Sequence, residues 1–304
     1  TDLLIDGRDD MFGLIVHGGC HGLEPTELDK VSANNGVKTY GEIGYKMLSE
    51  GCAAIDVVEK VITMMEDDPI FDAGTGSFRN LNGVVEMDAM VMNGEENCGA
   101  VHCIQKVRNP IQVARMVMEK TPHSILTGSG AVQFARLHGF EEYEPALSDV
   151  KNPSEEIKGR ERSLRDIQYY IEEIRKEDHI FSTVGVVALD QSNRLVAGTS
   201  TGGIRMKMPG RVGDSAIPGA GTYCTREIGL SATGEGEKIL RMCLTYQSAR
   251  DYLNTGKLTD SLRKNVKRAS EIDCICGLIA FTRDGEFSFA HNGAFMPVYY
   301  RTNK

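Results

Sequence analysis

A chain of 304 residues, 41% hydrophobic and 25% charged, makes one large domain or two small ones, with the composition of a soluble globular protein. A net charge of −9 excludes the basic stripe of a general nucleic-acid binder. No run of 18 or more apolar residues occurs, so no transmembrane helix is predicted, and the acidic start TDLLIDGRDD lacks the basic and apolar segments of a secretory leader.

In chain order, GLIVHGGCHG (13–22) reads as a short buried strand running into a glycine turn. The segment 42–69 reads as one helix, with Ile55, Val58, Ile62 and Met65 on a single face and Pro69 ending it. GVVEMDAMVMNG (83–94) alternates: Val85, Met87, Ala89 and Val91 share one face, Glu86 and Asp88 the other. Asn109-Pro110 is a helix start, and helices are predicted over 110–120 and 127–139. Residues 141–182 are dense in charge of both signs and read as a linker, with Leu164, Ile167, Ile171 and Ile174 forming a weak amphipathic helix. TVGVVALD and RLVAGTS flank a Gln191-Ser192-Asn193 turn and form a hairpin. Helices follow over 235–254 and 259–271, then a last hairpin turning at Asp284-Gly285. Cys274 and Cys276 stand two apart in a strand-like run and are predicted to point to opposite faces. The eight cysteines form no C-x-x-C pair, which speaks against zinc-ribbon and thioredoxin chemistry; they read as free thiols of a reducing, cytoplasmic setting. Hairpins with helices segregated in blocks favour an α+β class.

Three constellations carry chemistry. Gly198-Thr199-Ser200-Thr201-Gly202 fits the serine-hydrolase elbow, with Ser200, Asp214 and His291 in an allowed chain order. That elbow needs a helix directly after the serine, and the glycines and proline that follow (202, 203, 209, 210, 213) forbid one. Glu86 and Asp88 lie on one strand face and form a carboxylate pair of the kind that acid–base glycosidases use; a solvated or turn-bonded face is the plainer reading. Thr183 opens a strand at the end of a charged linker. A cut just before it frees an α-amino group beside its own hydroxyl, and that amine serves as general base with no histidine or metal. A threonine opening a strand is otherwise commonplace.

VHGG (16–19), EDDPIFDAGTGSFRNLNGVVEMDAMVMNG (66–94), GAV (99–101), STVGVVALD (182–190), AGTSTGG (197–203), PGRVGDSAIPGAGTY (209–223) and SATGEGE (231–237) occur in one order. Together they resemble the plant-type asparaginase and isoaspartyl-peptidase family of N-terminal-nucleophile hydrolases, a superfamily that includes the glycosylasparaginases. The resemblance implies a single domain over 1–304 with a four-layer αββα sandwich. It implies self-cleavage of the Ser182–Thr183 bond into an α piece, 1–182, and a β piece, 183–304. It makes Thr183 the nucleophile, Thr201 its hydrogen-bond partner, and Thr233 with Gly234 the oxyanion hole. Arg211 and Asp214 become a clamp for the substrate's α-carboxylate and α-ammonium, with Gly236 a backbone contact to the same end. It further implies a structural sodium ion on main-chain carbonyls of Met65, Glu66, Asp68, Phe71, Ala73 and Thr75, no catalytic cofactor, and a homodimer of αβ units.

The chain departs from the family pattern at three places: Ser182 stands where Asp or Gly is usual, FNAG reads FDAG at Asp72, and DASIMDG reads DAMVMNG. The expected activity is hydrolysis of β-aspartyl amides, meaning asparagine and isoaspartyl dipeptides. Glycosylasparaginase activity is the alternative, and an uncleaved, latent homologue a second one, motivated by Ser182 and Asp72.

Overall fold

The computed structural model describes residues 11–145 and 183–304. It is a mixed α+β structure with two sheets, and seven α-helices among the described residues. The elements are β1 (Gly13–His17), α1 (Glu27–Ser49), α2 (Ala54–Asp67), β2 (Met87–Asn93), β3 (Cys98–Ile104), α3 (Pro110–Lys120), β4 (Ile125–Thr127), α4 (Gly128–Leu137), β5 (Val184–Leu189), β6 (Leu195–Thr201), β7 (Thr222–Cys224), β8 (Ile228–Gly234), α5 (Gly236–Met242), α6 (Leu244–Thr255), α7 (Leu258–Ser270), β9 (Cys276–Thr282), β10 (Phe287–His291) and β11 (Val298–Thr302). No described helix is long and apolar enough to cross a membrane.

The larger sheet runs β11-β1-β5-β6-β2-β3-β4 and the smaller β10-β9-β8-β7. Every residue of β5 and β6 is buried. That is why VGVVAL and LVAGTST carry small and apolar residues on both faces rather than a polar alternation. One apolar cluster lies between α1–α4 and the larger sheet, with Val57, Val61, Met65, Val186 and Ala188 in it. A second lies between the sheets, where Ile15, Met90, Val187, Ala197, Ile279 and Phe281 meet. A third packs α5–α7 on the smaller sheet through Leu230, Leu244, Leu262 and Leu278.

The helix read over 42–69 is two helices. α1 starts at Glu27, capped by Thr26, whose Oγ1 accepts from the Asp29 amide at 3.2 Å. Its buried face is Ala33, Val37, Gly41, Gly44 and Leu48, which hardly registers as hydrophobic in sequence. The glycines are contact points: a Cβ on Gly41 would lie 2.2 Å from the Tyr299 ring, and one on Gly44 2.6 Å from Val61. α2 ends at Asp67, just ahead of Pro69, with Asp68 turned to extended backbone. The helix read over 235–254 is also two, broken at Cys243, which takes the left-handed conformation at φ 49°. Cys274 and Cys276 do not point apart. β9 begins only at Cys276, Cys274 follows a turn with Asp273 at φ 53°, and both side chains enter the third cluster close enough for their thiols to hydrogen-bond. Residues 141–145 have no regular structure. The rest of the charged linker, its weak helix and Ser182 lie outside the described residues.

Candidate active site

Val184 packs into the helix-side cluster, so Thr183 and Gly185 face the smaller sheet. Thr183 is 6% exposed, and its Oγ1 donates to Thr201 Oγ1 at 3.1 Å. Thr201 Oγ1 also accepts from the Gly203 amide at 2.9 Å. Val184 pairs with Ser200 and Asp88 with Thr201, so Thr183, Thr201 and Asp88 form a row across β5, β6 and β2 on one face.

A buried polar chain lies beside this row. His17 Nδ1 accepts from the Gly19 amide at 3.3 Å, which leaves the proton on Nε2. Nε2 meets Ser231 Oγ at 2.9 Å, and the imidazole lies near the Thr183 main chain. Ser231 Oγ meets Thr199 Oγ1 at 2.7 Å, Thr199 meets Thr222 Oγ1 at 2.5 Å, and Thr222 donates to the Ser215 carbonyl at 2.8 Å. Full burial pushes the His17 imidazole down to about 3, so it stays neutral and serves as a donor, not a charge.

The clamp residues come together. A Cβ on Gly236, the first residue of α5, would lie 2.8 Å from Arg211 Nη2 and 2.9 Å from Asp214 Oδ1. Only a glycine lets this helix start reach both groups. Arg211 Nη1 lies against Gly203 and Gly213, so that edge faces the Thr201 turn. Its other edge is a two-point ion pair with Glu237, Nε to Oε1 and Nη2 to Oε2, both at 2.7 Å. Asp214 is 4% exposed, and burial pushes its carboxyl up to about 7 against the pull of a backbone N–H bond and Arg211. Its Oδ2 and Asp88 Oδ2 are buried with no protein partner. Both carboxyls lie within electrostatic reach of Arg211.

Thr233 and Gly234 end β8, on the facing sheet. Thr233 Oγ1 accepts from the Cys20 amide at 3.2 Å, which leaves its own proton available to donate. Gly234 sits at φ 136°, and a Cβ there would lie 2.3 Å from the Ile275 carbonyl.

Ser200 is no nucleophile: it points the other way, donating at 2.6 Å to Glu66 on α2, and no helix follows β6. Burial pushes Glu66 up to about 8, above the level at which Ser200 and the Ile111 amide hold it down. Glu86 and Asp88 are buried, not solvated. Glu86 Oε2 accepts from the Gly210 amide at 3.0 Å and Asp88 Oδ1 from the Cys103 amide at 2.8 Å, so each spends an oxygen on the backbone instead of facing a shared substrate. Asp72 is 3% exposed; its Oδ1 accepts from the Phe78 amide at 2.8 Å and its carbonyl from the Gly202 amide at 2.8 Å. Burial pushes its carboxyl up to about 7, with the Phe78 bond, Lys207 and Arg211 opposing.

Sequence reasoning missed His17, Glu237 and Lys207. Histidine in VHGG and glutamate in GEGE carry no spacing signal, and a buried lysine reads as a surface one. A cavity of about 400 Å³ is lined by Gly18, Leu23, Ile70, Phe71, Asp72 and Phe78, so it meets the residues described above only at Asp72 and its partner Phe78.

A family model described as asparaginase matches residues 11–304. A plant-type L-asparaginase of Pyrococcus horikoshii is 46% identical over 253 residues, 81% of either chain. Isoaspartyl peptidase/L-asparaginases of Homo sapiens and Bos taurus are 39% and 38% identical over 291 and 289 residues, covering 93% of this chain and 91% of each relative.

Proposed function

Because the chain belongs to the asparaginase family, we propose that it is a self-processing threonine hydrolase of β-aspartyl amides. The observation that carries this reading is the 3.1 Å bond between Thr183 Oγ1 and Thr201 Oγ1, at the head of a strand that the cut would make a chain start.

Processing begins when Thr183 Oγ attacks the Ser182 carbonyl. The acyl group moves from nitrogen to oxygen, and water hydrolyses the ester, leaving a free carboxyl at Ser182 and a free amine at Thr183. The amine then takes the proton of Oγ as that oxygen attacks the β-carbonyl of the substrate. The tetrahedral oxyanion sits against the Thr233 hydroxyl and Gly234 amide, donors of a type each worth about 2.7–4 kcal/mol of barrier. The amine passes its proton to the leaving nitrogen, and water releases aspartate from the ester. Gly203 and Thr201 hold Oγ in place. Neutral His17 holds the main chain behind the nucleophile.

Arg211 meets the substrate α-carboxylate through the edge facing Gly203, while Glu237 fixes the opposite edge. Ionised Asp214 meets the α-ammonium. The three apolar clusters support a four-layer αββα arrangement for the fold. At the end of α2, Glu66 O would lie 2.3 Å from a Cβ on Gly74, and in the segment that follows Phe71 O would lie 2.1 Å from one on Gly76. Such glycine-lined carbonyls suit a hard cation, and a sodium ion held there would brace the loop that carries Asp72.

Side-by-side assay of asparagine, β-aspartyl-leucine, β-aspartyl-glycine and N-acetylglucosaminyl-asparagine tests the reading. Turnover of asparagine and the dipeptides is the expected result. Turnover of the glycosylated substrate alone would replace it with glycosylasparaginase activity, and none at all with a latent homologue.

A further inference from the structure

Lys207 is 1% exposed. Its Nζ donates to the Gly202 carbonyl at 2.8 Å and to the Glu86 carbonyl at 2.5 Å. Gly202 follows Thr201 at the exit of β6, and Glu86 precedes β2, so the ammonium ties together the two neighbouring strands that carry Thr201 and Asp88. The next residue, Gly203, gives its amide to Thr201 Oγ1, and a Cβ on Gly203 would lie 2.8 Å from Nζ. The cation therefore lies against the peptide that orients the partner of the nucleophile.

The charges around it are Asp72 and Arg211, with the half-buried Cys103 thiol alongside. Asp88, Asp214 and Glu237 lie beyond, on Arg211. Glu86 offers Lys207 its carbonyl, while its carboxylate takes the Gly210 amide. Glu66 is on the opposite face, under Ser200, and His17 on the far side of Thr183 is neutral.

A backbone tie at Gly202 and Glu86 needs only a hydrogen-bond donor. Burying a full positive charge to make it is wasteful unless the charge itself matters. A fixed cation near an amine lowers the amine's affinity for a proton, which is one way such groups are activated. Resting on the reading that the freed amine of Thr183 is the general base, we propose that Lys207 is a positioning residue for this reaction. It holds the turn that orients Thr201, and its charge keeps the Thr183 amine in the proton-accepting form.

The test compares Lys207→Met and Lys207→Arg with the wild type, following self-processing and then kcat for asparagine against pH. Loss of the charge is expected to move the acid limb of kcat up by about one pH unit, so that the methionine variant loses roughly tenfold below the limb and recovers as pH rises. The arginine variant keeps the wild-type limb. A methionine variant that stays uncut while the arginine variant cuts and turns over also supports the role. A limb unmoved in Lys207→Met, or an arginine variant that matches the methionine one in cutting and limb position, overturns it. Wild-type protein that hydrolyses no β-aspartyl amide overturns the hydrolase reading and this inference with it, whereas the limb position bears on Lys207 alone.

Discussion

In the proposed mechanism Asp214 meets an ammonium group from inside the protein, where burial holds its carboxyl up at about 7. Below that pH the free enzyme carries it neutral, and the clamp loses its anion. The Thr183 amine that the proposed cut would free, with a reference value of about 7.7–8, would also have to be unprotonated to act. Two protons therefore have to leave before asparagine is captured and attacked. We expect log kcat/KM to rise with a slope approaching two on the acid side, and Asp214→Asn to raise KM and cut the slope to one. An unchanged slope in that variant would remove Asp214 from the clamp. At this scale the motifs singled out Thr183, Thr201, Arg211, Asp214 and Gly236, and the structure sets Thr183 against Thr201 and Gly236 against Arg211 and Asp214. Lys207 and His17 were not legible, since nothing in a sequence tells a buried cation or a neutral buried imidazole from an exposed one.

β5, β6 and β9 were legible because they are buried along their whole length and had to be small or apolar, whereas β3, β7, β8 and β11 were not read as strands. The first helix was not legible, because its packing face is built on Gly41 and Gly44. Its approach to Tyr299 and Val61 depends on missing side chains. Gly44→Val is expected to push α1 off α2 and cost about 1–3 kcal/mol of stability, read as a lower melting temperature. A variant as stable as the wild type would mean that the helix shifts freely and that the glycine contact is incidental. The breaks at residues 50–53 and at Cys243 escaped notice because apolar periodicity continues across them; the left-handed backbone of Cys243 leaves no compositional trace.

Among the described residues, buried acids dominate the response to pH. Asp72, Asp214 and Glu66 hold their protons to about 7, 7 and 8, against ordinary values of 3.8, 3.8 and 4.5. A carboxyl raised on folding stabilises the native state at low pH, and that contribution is lost as pH rises toward the folded value. His17 works in the opposite sense: it is lowered from 6.5 to about 3, so its contribution is lost as pH falls through that window. Between about pH 5 and 6.5 the native state thus holds three extra protons on acids and lacks one on His17, and stability falls as pH rises. Thermal unfolding across pH 5–7 is expected to show a declining melting temperature; a rising one would place ionised carboxylates in these three positions.

Whether residue 183 becomes a chain terminus is read directly by intact-mass spectrometry of the purified, active protein. We expect two polypeptides, 1–182 and 183–304, with threonine first in the second. A single uncut chain that hydrolyses asparagine at full rate would contradict the account.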